Sequence, residues 1–196
     1  MSALRPAVRT LARGAVPALL ALVASCTYPL YEGRDNYAEG MRRLRYDSAA
    51  AEGYFSAGEK ELAEALAQSD LDPAQQVLAV SLRVRCLIEL ERHGDVASAL
   101  AVQLPQYNPD RAWRGDPVGL SLLRASKLDP ERAYAELLLA ERKAATLRAR
   151  LHISWEQVHL LQRIGTPKAK GEAVKICEAH AGKIDFDALK QSLSTP

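Results

Sequence analysis

Three residues have the types and spacing to act together: His152, Glu156 and His159. Their i, i+4, i+7 spacing puts two imidazoles and a carboxylate on one helical face, where such groups can converge on a metal ion. A closed or catalytic site needs a further ligand from another element, and the sequence marks none. The set therefore reads first as the polar flank of a packing face beside Trp155, with no metal and no cofactor. Other reaction centres lack their signatures: there is no Gly-rich phosphate loop, GxSxG, HExxH, zinc-type Cys pair or EF-hand loop. The expectation is a protein that is not an enzyme. Trp113, flanked by Arg111 and Arg114, is the candidate partner contact, because a loop tryptophan beside arginines has the make-up of a binding hot spot. Its bland counterpart is a hydrophobic plug. Arg42, Arg43 and Arg45 can attract anionic head groups or simply solvate a helix face. Arg83/Arg85 and Lys168/Lys170 read as ordinary solvated surface.

The elements that carry these residues are helices. Ala (33) and Leu (29) dominate, whereas Val, Ile and Thr together supply 21, a balance that favours helix over sheet. With 26 basic and 24 acidic residues the chain has no global drive toward nucleic acid. Asp47 or Ser48 can cap a helix running to about residue 69, and Asp72-Pro73 opens another that reaches Arg92. His93-Gly94-Asp95 breaks it, and a shorter helix follows to Leu104. Residues 105–117 carry three prolines and read as a loop. Helices resume at about 117–127, 130–149, 151–164, 168–181 and 185–193. The stripe Ala133, Leu137, Ala140, Ala144, Leu147, Leu151 runs on without a breaker, so residues 130–164 are expected as one long helix or, the favoured reading, a run kinked near Arg150–His152. Cys86 and Cys177 read as small buried hydrophobes, with a disulfide between them the alternative.

The N-terminus reads as an address. Arg5, Arg9 and Arg13 precede an uncharged apolar run from Gly14 to Ala24, and the first acidic residue is Glu32. This is the layout of a secretory signal peptide, too short to remain as a spanning helix. Val23-Ala24-Ser25-Cys26 resembles the lipobox of bacterial lipoproteins, which implies lipidation of Cys26 and loss of residues 1–25. Thr27 after the cysteine, by the same resemblance, favours the outer membrane facing the periplasm. Residues 26–46, with Pro29 and Gly33, are then the lipid anchor and tether, and 47–196 the folded domain. An Arg-rich mitochondrial presequence leading a repeat protein is the alternative address.

Turn signals recur. Gly58, Gly94 and Pro130 lie 36 residues apart, each followed five residues later by Ala63, Ala99 or Ala135; Pro73 and Pro109 share the spacing. Two kinds of turn at one period describe helix-turn-helix repeats, which bury their apolar faces by stacking. Leu90, Gly94-Asp95, Ala99 and Pro109 resemble the tetratricopeptide repeat, although Arg83, Leu87 and Gln103 depart from its pattern. The expected fold is therefore all-α: antiparallel helix-turn-helix repeats of about 36 residues in a short tetratricopeptide-like solenoid, with the three alanines at close helix crossings. The expected function is a lipid-anchored envelope adaptor that binds a protein partner and no nucleic acid. A periplasmic metal binder or enzyme centred on His152, Glu156 and His159 is the alternative.

Overall fold

The computed structural model describes residues 15–68, 70–102, 115–183 and 186–194, with side chains from Tyr28 to Leu193. All regular structure among them is helical: α1 (Ala15–Arg43), α2 (Ser48–Ala67), α3 (Pro73–Glu89), α4 (His93–Leu100), α5 (Pro117–Ala125), α6 (Pro130–Lys143), α7 (Leu147–Ile164), α8 (Pro167–Ala179) and α9 (Phe186–Ser194). The starts are set locally. Asp47, Asp72, Asp116, Asp129, Thr146 and Thr166 each accept a backbone N–H from the first turn of the helix they precede. Asp72 and Gln75 complete a capping box, and prolines occupy the first turn of α3, α5, α6 and α8. Gly165, with φ of 71°, ends α7 in the left-handed conformation that glycine adopts without steric cost.

Apart from α4 and α5, helices adjacent in sequence pack on one another, and α3 is the hub, touching α1, α2, α4, α5 and α7. Nearly the whole circumference of α3 from Val77 to Glu89 is buried, which marks a central rather than an amphipathic surface helix. Apolar side chains gather in three clusters. One lies between α1, α2 and α3 around Phe55 and Leu62, a central one spans α3 to α7, and a third joins α7, α8 and α9 around Phe186. Cys86 and Cys177 belong to different clusters; both are free thiols, buried as expected.

Four expectations are corrected. The stretch 26–46 is not an extended tether: α1 is helical through Pro29 and Gly33, and Leu30 is only 1% exposed against the fold. Gly58 is not a breaker but lies buried inside α2, where an added Cβ would come within 3.1 Å of the Gly33 carbonyl oxygen. A glycine signals close helix approach as readily as it signals a turn. Residues 130–164 form two helices, because Thr146 caps a new one and closes α6 three residues earlier, with no kink at Arg150–His152. The repeat alanines also differ in fate: Ala99 is 2% exposed, Ala63 is half-buried and Ala135 faces solvent. On α6 the inward stripe is Ala133, Leu137 and Ala140, and Ala135, two positions past the first of these, turns away from it. Gly94 is exposed within the first turn of α4; the chain reverses just before it, where Glu91 adopts φ of 57°.

Candidate functional site

On α7 His152 turns toward the start of α4, whereas Trp155 packs against the cluster shared by α7, α8 and α9. His152 is fully buried, and its Nδ1 lies 2.9 Å from Nδ1 of His93, the first residue of α4. A contact of that length needs one ring as donor and the other as acceptor, so the two imidazoles hold opposite tautomers at their Nδ1 atoms. The rings stack at 5.0 Å with planes 14° apart, and His152 also stacks on Trp155 at 6.0 Å. His159 meets Trp155 edge-on at 4.1 Å. Burial, with His93 and Arg85 nearby, pulls the His152 pKa down to about 3, so this imidazole is neutral. Burial raises Glu156 and lowers His159.

The three residues spaced i, i+4, i+7 therefore share a face without sharing a target. His152 turns to His93, His159 turns to Trp155, and Glu156 Oε1 stays 3.7 Å from His152 Nε2, beyond hydrogen-bond reach. Among the described residues no three His, Cys, Asp or Glu groups converge as a metal shell. Trp113, Arg111 and Arg114 lie outside the described residues, as does the side chain of Cys26. Arg42 and Arg43 both engage Glu39, at 2.5 and 2.7 Å, which occupies two of the three arginines considered for head groups.

A second polar cluster escapes sequence patterning. Arg85, which reads as surface, is 1% exposed at the centre of α3. Its Nη2 contacts Glu89 Oε1 at 2.7 Å and its Nε approaches Asp116 Oδ1 at 3.1 Å. Asp116 also caps α5 and accepts from the Tyr37 hydroxyl of α1, while Glu89 Oε1 accepts from Thr146 Oγ1 at 2.5 Å. Arg148 Nη1 donates to the Glu89 carbonyl oxygen at 2.5 Å. One buried guanidinium thus connects α1, α3, the start of α5 and the start of α7. Burial alone would lower the Arg85 pKa, but Asp116 and Glu89 hold it above its ordinary value; burial and Asp116 push Tyr37 far up. The signal that could reveal this cluster is context: an Arg and a Glu at i, i+4 in a helix apolar on every side must be buried, and buried charges come paired.

On the opposite flank, α6, α7 and α8 enclose a groove of about 430 Å3 whose apolar lining is Tyr134, Leu138, Leu161 and Ile164. Leu138 and the adjacent Leu139 are 40% and 49% exposed. No protein-family model, curated protein or solved structure matches the chain.

Proposed function

We propose that this chain is a lipid-anchored protein of the bacterial cell envelope, held by Cys26 in the outer membrane facing the periplasm, that acts as an adaptor rather than an enzyme. The exposed strip Leu138–Leu139 beside the α6–α8 groove carries the adaptor reading. Large apolar side chains left in solvent next to an apolar groove mark surfaces that a partner covers, and an amphipathic helix fits such a groove. The anchor rests on Val23-Ala24-Ser25-Cys26, which ends only four residues before buried Leu30. A repeat origin belongs to the same proposal: α4, α6 and α8 begin at His93, Pro130 and Pro167, evenly spaced at 37 residues. The contact between α3 and α7 makes the packing more closed than a solenoid whose units touch only their neighbours.

Two measurements test this. Metabolic labelling with an acyl precursor should mark the wild type and not Cys26→Ser; equal labelling sinks the anchor. A photo-crosslinker placed at Leu139 in cells should give one discrete adduct, lost in Leu138→Arg, whereas a crosslinker at exposed Gly53 should give none. Identical adduct patterns from both positions would remove the groove as the docking surface.

A further inference from the structure

A cavity of about 870 Å3 opens where the end of α1, the end of α3 and the start of α7 meet. Met41, Leu44, Leu147 and Leu151 give it apolar walls, and Tyr46, 84% exposed, stands at the mouth. Small-molecule sites usually have this size and character, with few polar groups placed to orient the ligand. Here one such group is Glu89, which lines the cavity although its side chain is wholly buried. Glu89 Oε1 is engaged by Arg85 and Thr146, whereas Oε2 has no hydrogen-bond partner. A buried carboxylate oxygen left unmatched is costly, and a donor arriving from the cavity would remove that cost.

Charge points to the kind of donor. Glu89 and Asp116 share the single guanidinium of Arg85, so this buried group keeps a net negative charge. Arg148 lies close, with Nη1 on the Glu89 carbonyl oxygen, but its charge is shared with Glu91 at 2.8 Å and Glu52 at 3.0 Å, so carboxylates still outnumber guanidinium groups here. Arg42 is committed to Glu39, and Arg45 is exposed in the outer wall, where solvent screens it. The helix ends balance, since α1 and α3 bring their C-termini to the cavity and α2 and α7 their N-termini, capped by Asp47 and Thr146, so the carboxylates set the sign. We propose that the cavity binds a small amphipathic amine, its ammonium group donating to Glu89 Oε2 and its apolar body lying on Met41, Leu44, Leu147 and Leu151.

Monodansylcadaverine, an aromatic body joined to a primary amine, is a suitable probe for the full-length protein in lipid nanodiscs, with protein-free nanodiscs as blank. Its fluorescence should rise saturably. N-pentyl dansylamide, the same body without the amine, should bind about tenfold more weakly or worse, as expected for losing one hydrogen bond between charged groups. Glu89→Gln should bring the amine probe down to the level of its analogue while leaving the analogue unchanged. Because Glu89 also pairs with Arg85, a second variant leaves that ion pair intact: Ala145→Trp, at an exposed position in the cavity wall, should block both probes without lowering the melting temperature. Absence of saturable binding to the wild type would overturn the proposal. Equal affinity for the two probes, or full binding by Ala145→Trp, would overturn it as well.

Discussion

Arg85 and His152 are equally hidden, at 1% and 0% exposure, yet the protein treats them in opposite ways. Arg85 remains charged and is surrounded by carboxylates from α3 and the start of α5, with Tyr37 and Thr146 completing their hydrogen bonds. His152 gives up its charge and is surrounded by rings, His93 on one side and Trp155 on the other. The difference follows from the groups themselves. A guanidinium cannot lose its proton in a protein, so burying it requires counter-charges held in place. An imidazole titrates near neutrality and can meet the same burial by deprotonating, after which aromatic contact and one hydrogen bond suffice. The first solution links four segments of chain; the second links two.

That contrast can be broken at several points. Arg85→Ala should have the largest effect, about 3–5 kcal/mol in urea denaturation, because Glu89 and Asp116 stay behind as uncompensated buried charges. Adding Glu89→Gln to Arg85→Met should recover part of the loss. A cost below about 1 kcal/mol for Arg85→Ala would show that the cluster is solvated rather than buried.

Acid comes next. His152 has a folded pKa of about 3 against an ordinary 6.5, so on acidification the unfolded chain takes up the proton first. Its contribution is complete above pH 6.5 and declines as the pH falls toward 3, by up to about 4 kcal/mol. Glu156, raised by burial, works in the opposite sense: its contribution is present at low pH and is lost as the pH rises through its folded value. His152→Leu should therefore flatten stability between pH 6.5 and 3, and Glu156→Gln should steepen it, both read from melting temperature against pH. Because Arg85 also depresses His152, Arg85→Ala should shrink the acid slope too, a coupling that two independent clusters would not show.

Smaller effects test the seams. An added Cβ at Gly119 would fall 2.1 Å from the Ser81 carbonyl oxygen, so Gly119→Ala should force α5 from α3, move Asp116 away from Arg85 and cost about 1–3 kcal/mol in chemical denaturation. Gly171, inside α8, has open space around it, and Gly171→Ala should stabilise by about 0.5–1 kcal/mol. A loss of stability at Gly171 instead would mean that α8 is covered by something on that side.

Local chemistry is legible in the sequence and distant chemistry is not. Asp72-Pro73 marks the start of α3, as Pro130 marks that of α6, because capping and proline geometry act within one turn. The stripe through Ala133, Leu137, Ala140 and Ala144 is buried as its period implies, and so is Leu151, but Leu147 between them is 60% exposed. The break before Leu147 depends on a threonine cap, which carries no Gly or Pro to announce it. Gly58 and Pro29 mislead for a related reason. Both residues have two uses, and only the partner helix decides between them. The spacing of His152, Glu156 and His159 does define one face, yet the partner that turns His152 aside is His93, 59 positions earlier. Arg85 reads as surface because its ion pair with Asp116 forms across the fold, and a net charge near zero conceals it.

The close seating of α1 on α2 has a consequence for how the molecule stands. An added Cβ at Gly40 would come within 2.7 Å of the Phe55 ring, and one at Gly33 within 2.6 Å of Leu62, so the two helices are keyed together and cannot swing apart as a joint would. A flexible leash of some twenty residues would let its cargo roam about 25 Å. Were Cys26 lipidated as proposed, a fused helix would act instead as a mast, rising about 1.5 Å per residue and limiting both the tilt of the domain and the direction its α6 face looks. A protein anchored in that way would give up reach over the membrane plane and gain a steadier bearing toward a partner in the same membrane.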